Sequence, residues 1–274
     1  MEPPPESPTL PFLRWAGSKR QHASLLASYW NQSYRRYVEP FLGSGVLYFH
    51  LCPPRALLGD VNRDLIATFR QVKANPIAVS RILHSFQRGS QAYYRLRSHN
   101  GDVLRPSQKA ARFIYLNRFC FNGIYRTNSR GVFNVPYGGE RSGPLPSAAH
   151  LKASSRSLAV ARLAVADFET LLDEVRQGDF VYMDPPYSVR ARRTFAEYYP
   201  SGFTPEDVKR LRAVLMRLDR KGIPFLLTYA DSHEARSLSR GFATRIVTTR
   251  RNVAGFIGDR RRAREVIVSN APPA

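Results

Sequence analysis

Cysteine and long apolar runs are the features that this 274-residue sequence has least of. Its two cysteines, Cys52 and Cys120, are too few and too irregularly spaced for a disulfide framework or a cysteine-rich metal site. No apolar run approaches the roughly 20 residues of a membrane-spanning helix, and Met1–Pro11 lacks the basic-then-apolar pattern of a signal peptide. We therefore expect a cytoplasmic protein with reduced thiols, no metal and no obligate protein partner.

Acidic residues and lysine are also scarce. There are 21 acidic side chains against 42 basic ones, the net charge is +21, and only six of the basic residues are lysines. A basic excess of this size favours a polyanionic partner, and the planar guanidinium of arginine suits phosphates and guanine edges. An arginine-rich proteome would explain the ratio of arginine to lysine, but not the twofold excess of cations. Nucleic acid is the favoured partner, with a membrane surface as the second alternative.

The first third of the chain alternates short apolar segments with helical ones. Tyr37–Glu39 reads as a strand that runs into the glycine-rich turn Pro40–Gly45, and Val46–Leu51 reads as a short helix. Ala56–Asp60 is a second strand that ends in a carboxylate, and a further helix begins near Asn62. This order predicts an α/β fold with a doubly wound sheet.

The same alternation resumes in the last third. Thr204 is a predicted N-cap, because Pro205 follows at the first helical position and acids fill the first turn; Gly222 ends this helix. Strands are predicted on both sides of it, with a hairpin closing the sheet edge: Asp179–Met183, Ile223–Ala230, and Thr244–Thr249 with Glu265–Ser269. Residues 67–150 are basic, helical and then loop-rich, so we expect a lobe inserted between 1–66 and 151–274.

The most specific motif is Asp184-Pro185-Pro186-Tyr187, at the carboxyl end of a predicted buried strand, where open α/β sheets bind their ligands. The two prolines fix the backbone and remove two N–H donors. The carboxylate of Asp184 and the carbonyl of Pro185 can each accept a hydrogen from an exocyclic amine, which localises the nitrogen lone pair. The ring of Tyr187 can stack on a planar base. The alternative is a proline-stiffened turn.

Two features near the first strands suggest a nucleoside site. Phe41-x-Gly43-x-Gly45 permits close approach of a ligand to the backbone, although such a turn is often only a tight connection. Asp60 at a strand end is placed to accept ribose hydroxyls. Its alternative role is the N-cap of the helix that begins near Asn62.

Further candidates are weaker alone. Asp167 could accept the amino hydrogens of an adenine with Phe168 beside the ring, or Asp167 could cap a helix. Lys19, four residues after Trp15, could hold a carboxylate such as that of a methionine group near a helix N-terminus, or be a surface cation. The segment Leu116–Asn128 interleaves aromatics, asparagines and arginines, which suits base contacts and wedging into a base stack better than a wholly buried role.

Together these motifs resemble the Dam-type (D12 class, alpha-group) DNA adenine-N6 methyltransferases over nearly the whole chain. The matching segments are FLRWAGSK, VEPFLGSG, GDVNRDLI, LNRFCFNGIYRTNSRGVFNVPYG and DPPY. The resemblance implies a Rossmann-like class I methyltransferase sheet with an inserted, mostly helical target-recognition domain. It implies methyl transfer from S-adenosylmethionine to adenine in double-stranded DNA, with Asp184, Pro185 and Tyr187 gripping the flipped base. It also implies that the cofactor is bound by Trp15, Lys19, Phe41, Gly43, Asp60, Asp167 and Phe168.

The resemblance further implies DNA contacts, in GATC or a related site, for Arg14, Phe121, Asn122, Ile124, Arg126 and Pro136. Arg14 stands where GATC-recognising members have a guanine-contacting lysine, so the first base is open. Ser18 replaces a glycine, and Leu227–Ala230 lacks the usual Ser-Asn, with no expected chemical consequence. Two more segments, Ser188–Phe203 and Arg250–Arg264, are expected to close over DNA and to follow its phosphates.

Two other functions stay open at this point. An amino-methyltransferase could act on cytosine N4, RNA or a protein glutamine, although those classes more often carry Ser or Asn in place of Asp184. A DNA-binding regulatory protein could keep the fold without the activity. The intact motif of Asp184, both prolines and Tyr187 argues against such a loss of catalysis.

Overall fold

The computed structural model describes residues 8–99, 103–128, 131–139, 143–187, 203–250 and 262–273. Apart from their ends, the predicted DNA loop Ser188–Phe203 and the predicted phosphate arm Arg250–Arg264 lie outside these residues. Among the described residues, no helix has both the length and the hydropathy needed to cross a membrane. That part of the chain also has no cluster of three or more His, Cys, Asp or Glu side chains suited to a metal ion.

A seven-stranded sheet forms the centre of the fold, in the order β3-β2-β1-β4-β5-β7-β6. The first five strands pair in parallel, and β7 lies antiparallel between β5 and β6. The chain therefore reverses its direction of winding between β1 and β4, the switch point where doubly wound sheets bind ligands. The strands are β1 Arg36–Glu39, β2 Ala56–Asp60, β3 Ala161–Val165, β4 Asp179–Met183, β5 Phe225–Ala230, β6 Ala243–Arg250 and β7 Arg262–Ser269.

Helices lie on both faces of this sheet, and two short 3-10 turns, Arg20–His22 and Phe121–Gly123, accompany them. The α-helices are α1 Ala23–Ala27, α2 Val46–Leu51, α3 Arg63–Ala74, α4 Pro76–Ser85, α5 Ser90–Ser98, α6 Pro106–Phe119, α7 Ala148–Leu158, α8 Phe168–Leu172, α9 Pro205–Arg220 and α10 His233–Ser239. This mixed α/β architecture confirms the predicted Rossmann-like fold class.

Local sequence signals explain where several elements begin. The Thr204 hydroxyl accepts the Asp207 N–H, and the Asp207 carboxylate accepts the Thr204 N–H, so a reciprocal capping box starts α9 as predicted. The predicted strand from Ile223 instead begins at Phe225, because Pro224 has no N–H to donate to the ladder. The predicted bounds of α2, β2 and β4 are confirmed.

The core consists of two apolar clusters that involve different faces of the sheet. One of them continues from the sheet into the basic helical region, where Tyr93, Ile114 and Tyr115 are fully buried. Helix α3 crosses the predicted boundary at residue 67 and packs against α6. The helices of 67–150 therefore share apolar packing with the sheet, and the boundaries of a separate lobe stay a prediction.

Candidate active site

A buried lysine meets the carboxylate of the DPPY motif at the end of β4. Lys19 is only 4% exposed, and its Nζ lies 2.9 Å from Asp184 Oδ1 and 2.9 Å from the Tyr187 hydroxyl. It also donates to the carbonyl of Gly17 at 2.8 Å. These three contacts use all three ammonium hydrogens. Lys19 thus joins the N-terminal segment to the predicted catalytic residues, a contact that sequence reasoning did not foresee.

Electrostatic contacts offset part of the cost of burying this pair. Burial alone would lower the pKa of Lys19, but the nearby Asp184, Tyr187 and Glu265 raise it above its ordinary value. Burial raises the pKa of Asp184, and the charge of Lys19 offsets part of that rise. The ammonium and the carboxylate therefore stabilise each other in a site where either alone would be costly.

Among the described residues, the Asp184 carboxylate is held through its Oδ1 oxygen. Thr228 on β5 donates its hydroxyl hydrogen to Oδ1 at 2.8 Å, the oxygen that Lys19 also contacts. The Tyr182 hydroxyl lies 3.2 Å from Thr228 Oγ1 and supplies the hydrogen there, since Thr228 has already used its own. No described residue bonds Asp184 Oδ2. This geometry pins the carboxylate and leaves its second oxygen as an acceptor for a ligand.

The glycine-rich turn after β1 is fastened to the end of β2. Gly43 has a φ of +48° and donates its N–H to Asp60 Oδ2 at 3.1 Å, while Asn62 N–H donates to Asp60 Oδ1 at 2.9 Å. A Cβ on Gly43 would lie 2.9 Å from the ring of Trp15, so only glycine fits this contact. Burial raises the pKa of Asp60 to about 6, although these N–H groups lower it in part.

Asp60 is not the N-cap of α3, which was its alternative role. The Asn62 side chain accepts the Leu65 N–H at 3.0 Å and caps that helix instead. Asp60 binds backbone N–H groups of two turns, that of Gly43 after β1 and that of Asn62 after β2. A carboxylate in that position is available for ribose hydroxyls as well as for the turn.

Asp167 and Phe168 lie beside this turn with a third, unpredicted partner. Asp167 caps α8 by accepting the Glu169 N–H at 3.0 Å, so its alternative role is confirmed. Phe168 is buried and stacks on Phe41 with ring centroids 5.3 Å apart. Arg210 of α9 pairs with the Asp167 carboxylate and lies over the Phe168 ring at 4.8 Å. Arg210 therefore contacts both residues from α9, which packs against α8.

The predicted recognition segment forms a tight turn between α6 and an irregular hairpin. Phe121 is 41% exposed, and Asn122 has a left-handed φ of 54°, which is uncommon for a residue other than glycine. The Phe121 N–H donates to the Pro136 carbonyl at 2.9 Å, which ties the two arms together. Ile124 is buried at the base of the turn. The turn therefore presents an aromatic ring outward on a constrained backbone.

Arg14 lies against the same turn, and Arg126 lies further along the hairpin. Asn117 holds the Arg14 backbone through two hydrogen bonds of 2.9 and 2.8 Å, and Arg14 Nη1 donates to the Arg118 carbonyl. Arg126 Nε donates to Asn134 Oδ1 at 2.8 Å, across the hairpin. The structure thus groups Arg14, Phe121, Asn122 and Pro136 closely, while Arg126 sits at the outer end.

Comparisons with known proteins identify the family of this chain. The family described as D12 class N6 adenine-specific DNA methyltransferase matches residues 15–253. The chain is 35% identical to the type II methyltransferase M1.LlaDCHI of Lactococcus lactis subsp. cremoris over 95% of each chain. It is 32% identical to the retron Ec67 DNA adenine methylase of Escherichia coli, over 93% of this chain and 90% of that one. With the DNA adenine methylase of Escherichia coli K12 it shares 29% identity over 95% of both.

The chain belongs to the D12 class N6 adenine-specific DNA methyltransferase family. The predicted family is therefore confirmed, and the family description and the relatives' names support adenine methylation of DNA.

In this D12-class chain, three contacting residues escaped sequence reasoning. They are Thr228 on Asp184, Glu265 on Tyr187, and Arg210 on Asp167. Only Thr228 carries a signal in the sequence, because it lies in Leu227–Ala230, the segment that departs from the family pattern. It lies on the strand next to β4, one residue after the pair Met183–Leu227.

Proposed function

We propose that this chain transfers a methyl group from S-adenosylmethionine to N6 of adenine in duplex DNA, at GATC or a related site. The observation that carries the proposal is the Asp184 carboxylate, pinned through Oδ1 by Lys19 and Thr228 with Oδ2 unbonded among the described residues. It lies at the switch point of the sheet, where an acceptor can be reached from the ligand crevice.

The cofactor fits the crevice between β1 and β2. Gly43 leaves a backbone surface that Trp15 closes from one side, and Asp60 presents a carboxylate for the ribose hydroxyls. Phe41 and Phe168 form an aromatic wall, with Asp167 at its edge for the amino hydrogens of the cofactor adenine. When bound, S-adenosylmethionine supplies an electrophilic methyl group on a sulfonium. Lys19 would attract the methionine carboxylate by charge rather than by a hydrogen bond, because its three ammonium hydrogens go to Gly17, Tyr187 and Asp184.

The chain's own residues prepare the amine. Asp184 Oδ2 and the Pro185 carbonyl accept its two hydrogens, and the Tyr187 ring supports the flipped base. This draws the nitrogen towards tetrahedral geometry and makes its lone pair available. A nitrogen–carbon bond then forms as the carbon–sulfur bond breaks, and one amine hydrogen leaves as a proton. Because burial raises its pKa, Asp184 is better suited to receive this proton than an exposed aspartate.

The turn Phe121–Gly123 and its neighbours would recognise the DNA target. The exposed ring of Phe121 would enter the base stack, and Asn122 would lie beside the vacated partner base. Arg14 and Arg126 present guanidinium groups that can read guanine. Pro136 is exposed beside Phe121, and Ile124 is buried beneath the turn. The net charge of +21 favours binding to the phosphate backbone.

Methylation-aware sequencing tests the proposal. DNA from a methylation-deficient host is sequenced with and without the expressed gene. We expect N6-methyladenine at one short motif, in nearly every copy, only when the gene is present. Methylcytosine instead, or no modified base from a folded protein that binds DNA, would contradict the proposal and favour a different target or a regulatory role.

A further inference from the structure

Glu265 on β7 is a buried carboxylate that no sequence motif singled out. It is 5% exposed, and its Oε1 accepts the Tyr187 hydroxyl at 3.2 Å. Its Oε2 is buried, has no hydrogen-bond partner among the described residues, and lies 3.7 Å from Lys19 Nζ. A protein that needed only to anchor Tyr187 could do so with a neutral acceptor, so a buried, partly unsatisfied charge here calls for a functional reason.

Lys19 cannot satisfy that oxygen by hydrogen bonding. Its three hydrogens go to Gly17, Tyr187 and Asp184, all within 2.9 Å. Asp184 and Lys19 therefore neutralise each other, and the charge of Glu265 is compensated only at a distance. One ammonium group thus faces two carboxyl groups, Asp184 at 2.9 Å and Glu265 at 3.7 Å, and no second cation pairs with either of them among the described residues.

Two other acids near this pocket, Glu39 and Asp60, have partners of their own. Glu39 at the end of β1 accepts the Tyr37 hydroxyl at 3.0 Å rather than the Tyr187 hydroxyl, and burial raises the pKa of its carboxyl well above the usual range. Asp60 bonds to two backbone N–H groups at the glycine-rich turn rather than to Lys19 or Tyr187. Glu265 is thus the residue that sets the sign of the pocket.

We infer that Glu265 keeps the catalytic pocket anionic after Lys19 has neutralised Asp184, so that the pocket favours a sulfonium over a neutral thioether. The same charge stabilises the positive charge that develops on N6 during transfer. This inference rests on the proposed function, because it requires the methyl donor to lie beside the Asp184 pocket. Glu265 acts through the charge of the site and through Tyr187, and it is a positioning residue.

The test compares two ligands that differ in that charge. S-Adenosylmethionine carries a sulfonium, and S-adenosylhomocysteine lacks both the methyl group and the positive charge. Kd is measured by calorimetry for both ligands with the full-length wild type and with Glu265→Gln, whose amide oxygen still accepts from Tyr187. We expect the Kd of the variant for S-adenosylmethionine to rise about tenfold and its Kd for S-adenosylhomocysteine to rise less than twofold. Equal weakening of both, or no change, would overturn the inference.

Glu206→Gln is the matched control, since it removes the same charge at an exposed position of α9. It should leave both Kd values unchanged. If Glu265→Gln does not fold, Lys19→Gln tests the inference by removing the positive charge instead of the negative one. This variant should bind S-adenosylmethionine with a greater preference over S-adenosylhomocysteine than the wild type does, even if both Kd values change. A decreased preference would also overturn the inference. If the wild type binds neither ligand, the proposed function itself fails, which is a different outcome.

Discussion

The Asp184 pocket and the Phe121 turn differ in how tightly the protein holds them. Around Asp184, buried side chains from β4, β5, β7 and the N-terminal segment meet in one hydrogen-bonded cluster. Around Phe121, an exposed ring projects from a short turn held mainly by backbone bonds. The buried cluster holds the acceptors of the Asp184 pocket in place, as the proposed methyl transfer requires. The turn instead leaves the ring of Phe121 available to a partner.

Truncating the exposed ring should separate target engagement from folding. Phe121→Ala should lower kcat/KM by about 100-fold, because the wedge no longer offsets the cost of unstacking the base. Since the ring is exposed, the free energy of unfolding should change by less than about 0.5 kcal/mol. Fluorescence of 2-aminopurine at the target position measures flipping directly.

Met216→Ala, at a partly exposed position of α9, is the control for loss of an apolar surface side chain. It should leave flipping unchanged. An undiminished 2-aminopurine signal in Phe121→Ala would show that the turn does not open the base stack.

Removing one hydroxyl from the pocket should have a smaller effect on activity and a clear effect on stability. Thr228→Val deletes the bond to Asp184 Oδ1 and leaves the buried Tyr182 hydroxyl without its acceptor. We expect kcat to fall about tenfold and the free energy of unfolding to fall by about 1–3 kcal/mol. Thr228→Ser, which keeps the hydroxyl, should restore most of both. A Val variant with unchanged kcat would mean that Asp184 does not need this contact.

The smallest expected effect is the pH dependence of S-adenosylmethionine binding through Asp60, at the predicted ribose site. Burial raises the pKa of Asp60 from 3.8 to about 6, so its carboxylate is lost as the pH falls through about 6. Affinity for S-adenosylmethionine should therefore decline severalfold between pH 7 and pH 5. Since the pKa is raised on folding, ionisation of Asp60 should also reduce folding stability as the pH rises from about 4 to 6. Asp60→Asn should flatten both profiles; unchanged profiles would remove Asp60 from this role.

The same contrast explains what the sequence could and could not predict. The bounds of β2 and β4 follow from apolar runs that end in an acid, and α9 follows from its Thr-Pro-acidic start. Such signals are local. The placement of β7 between β5 and β6 depends on pairing across the sheet, for which a hairpin pattern gives no order.

Distance along the chain also hid part of the site. Thr228 is 44 residues from Asp184, and Glu265 is 78 residues from Tyr187. No spacing rule connects such residues, because only the folded sheet brings the strand ends together. The motif residues were predictable since their chemistry lies within four consecutive positions, while the residues that hold them were not.

The most direct test of the account is a methyl-transfer assay on Asp184→Ala with tritiated S-adenosylmethionine and unmethylated duplex DNA. In this variant Lys19 keeps its hydrogen bond to the Tyr187 hydroxyl, and Glu265 becomes its nearest carboxylate. The variant should therefore fold and bind the cofactor. We expect incorporation to drop by at least about 1000-fold, because the amine loses its pinned acceptor. Incorporation at the wild-type rate would contradict the assignment of Asp184 and, with it, the proposed site.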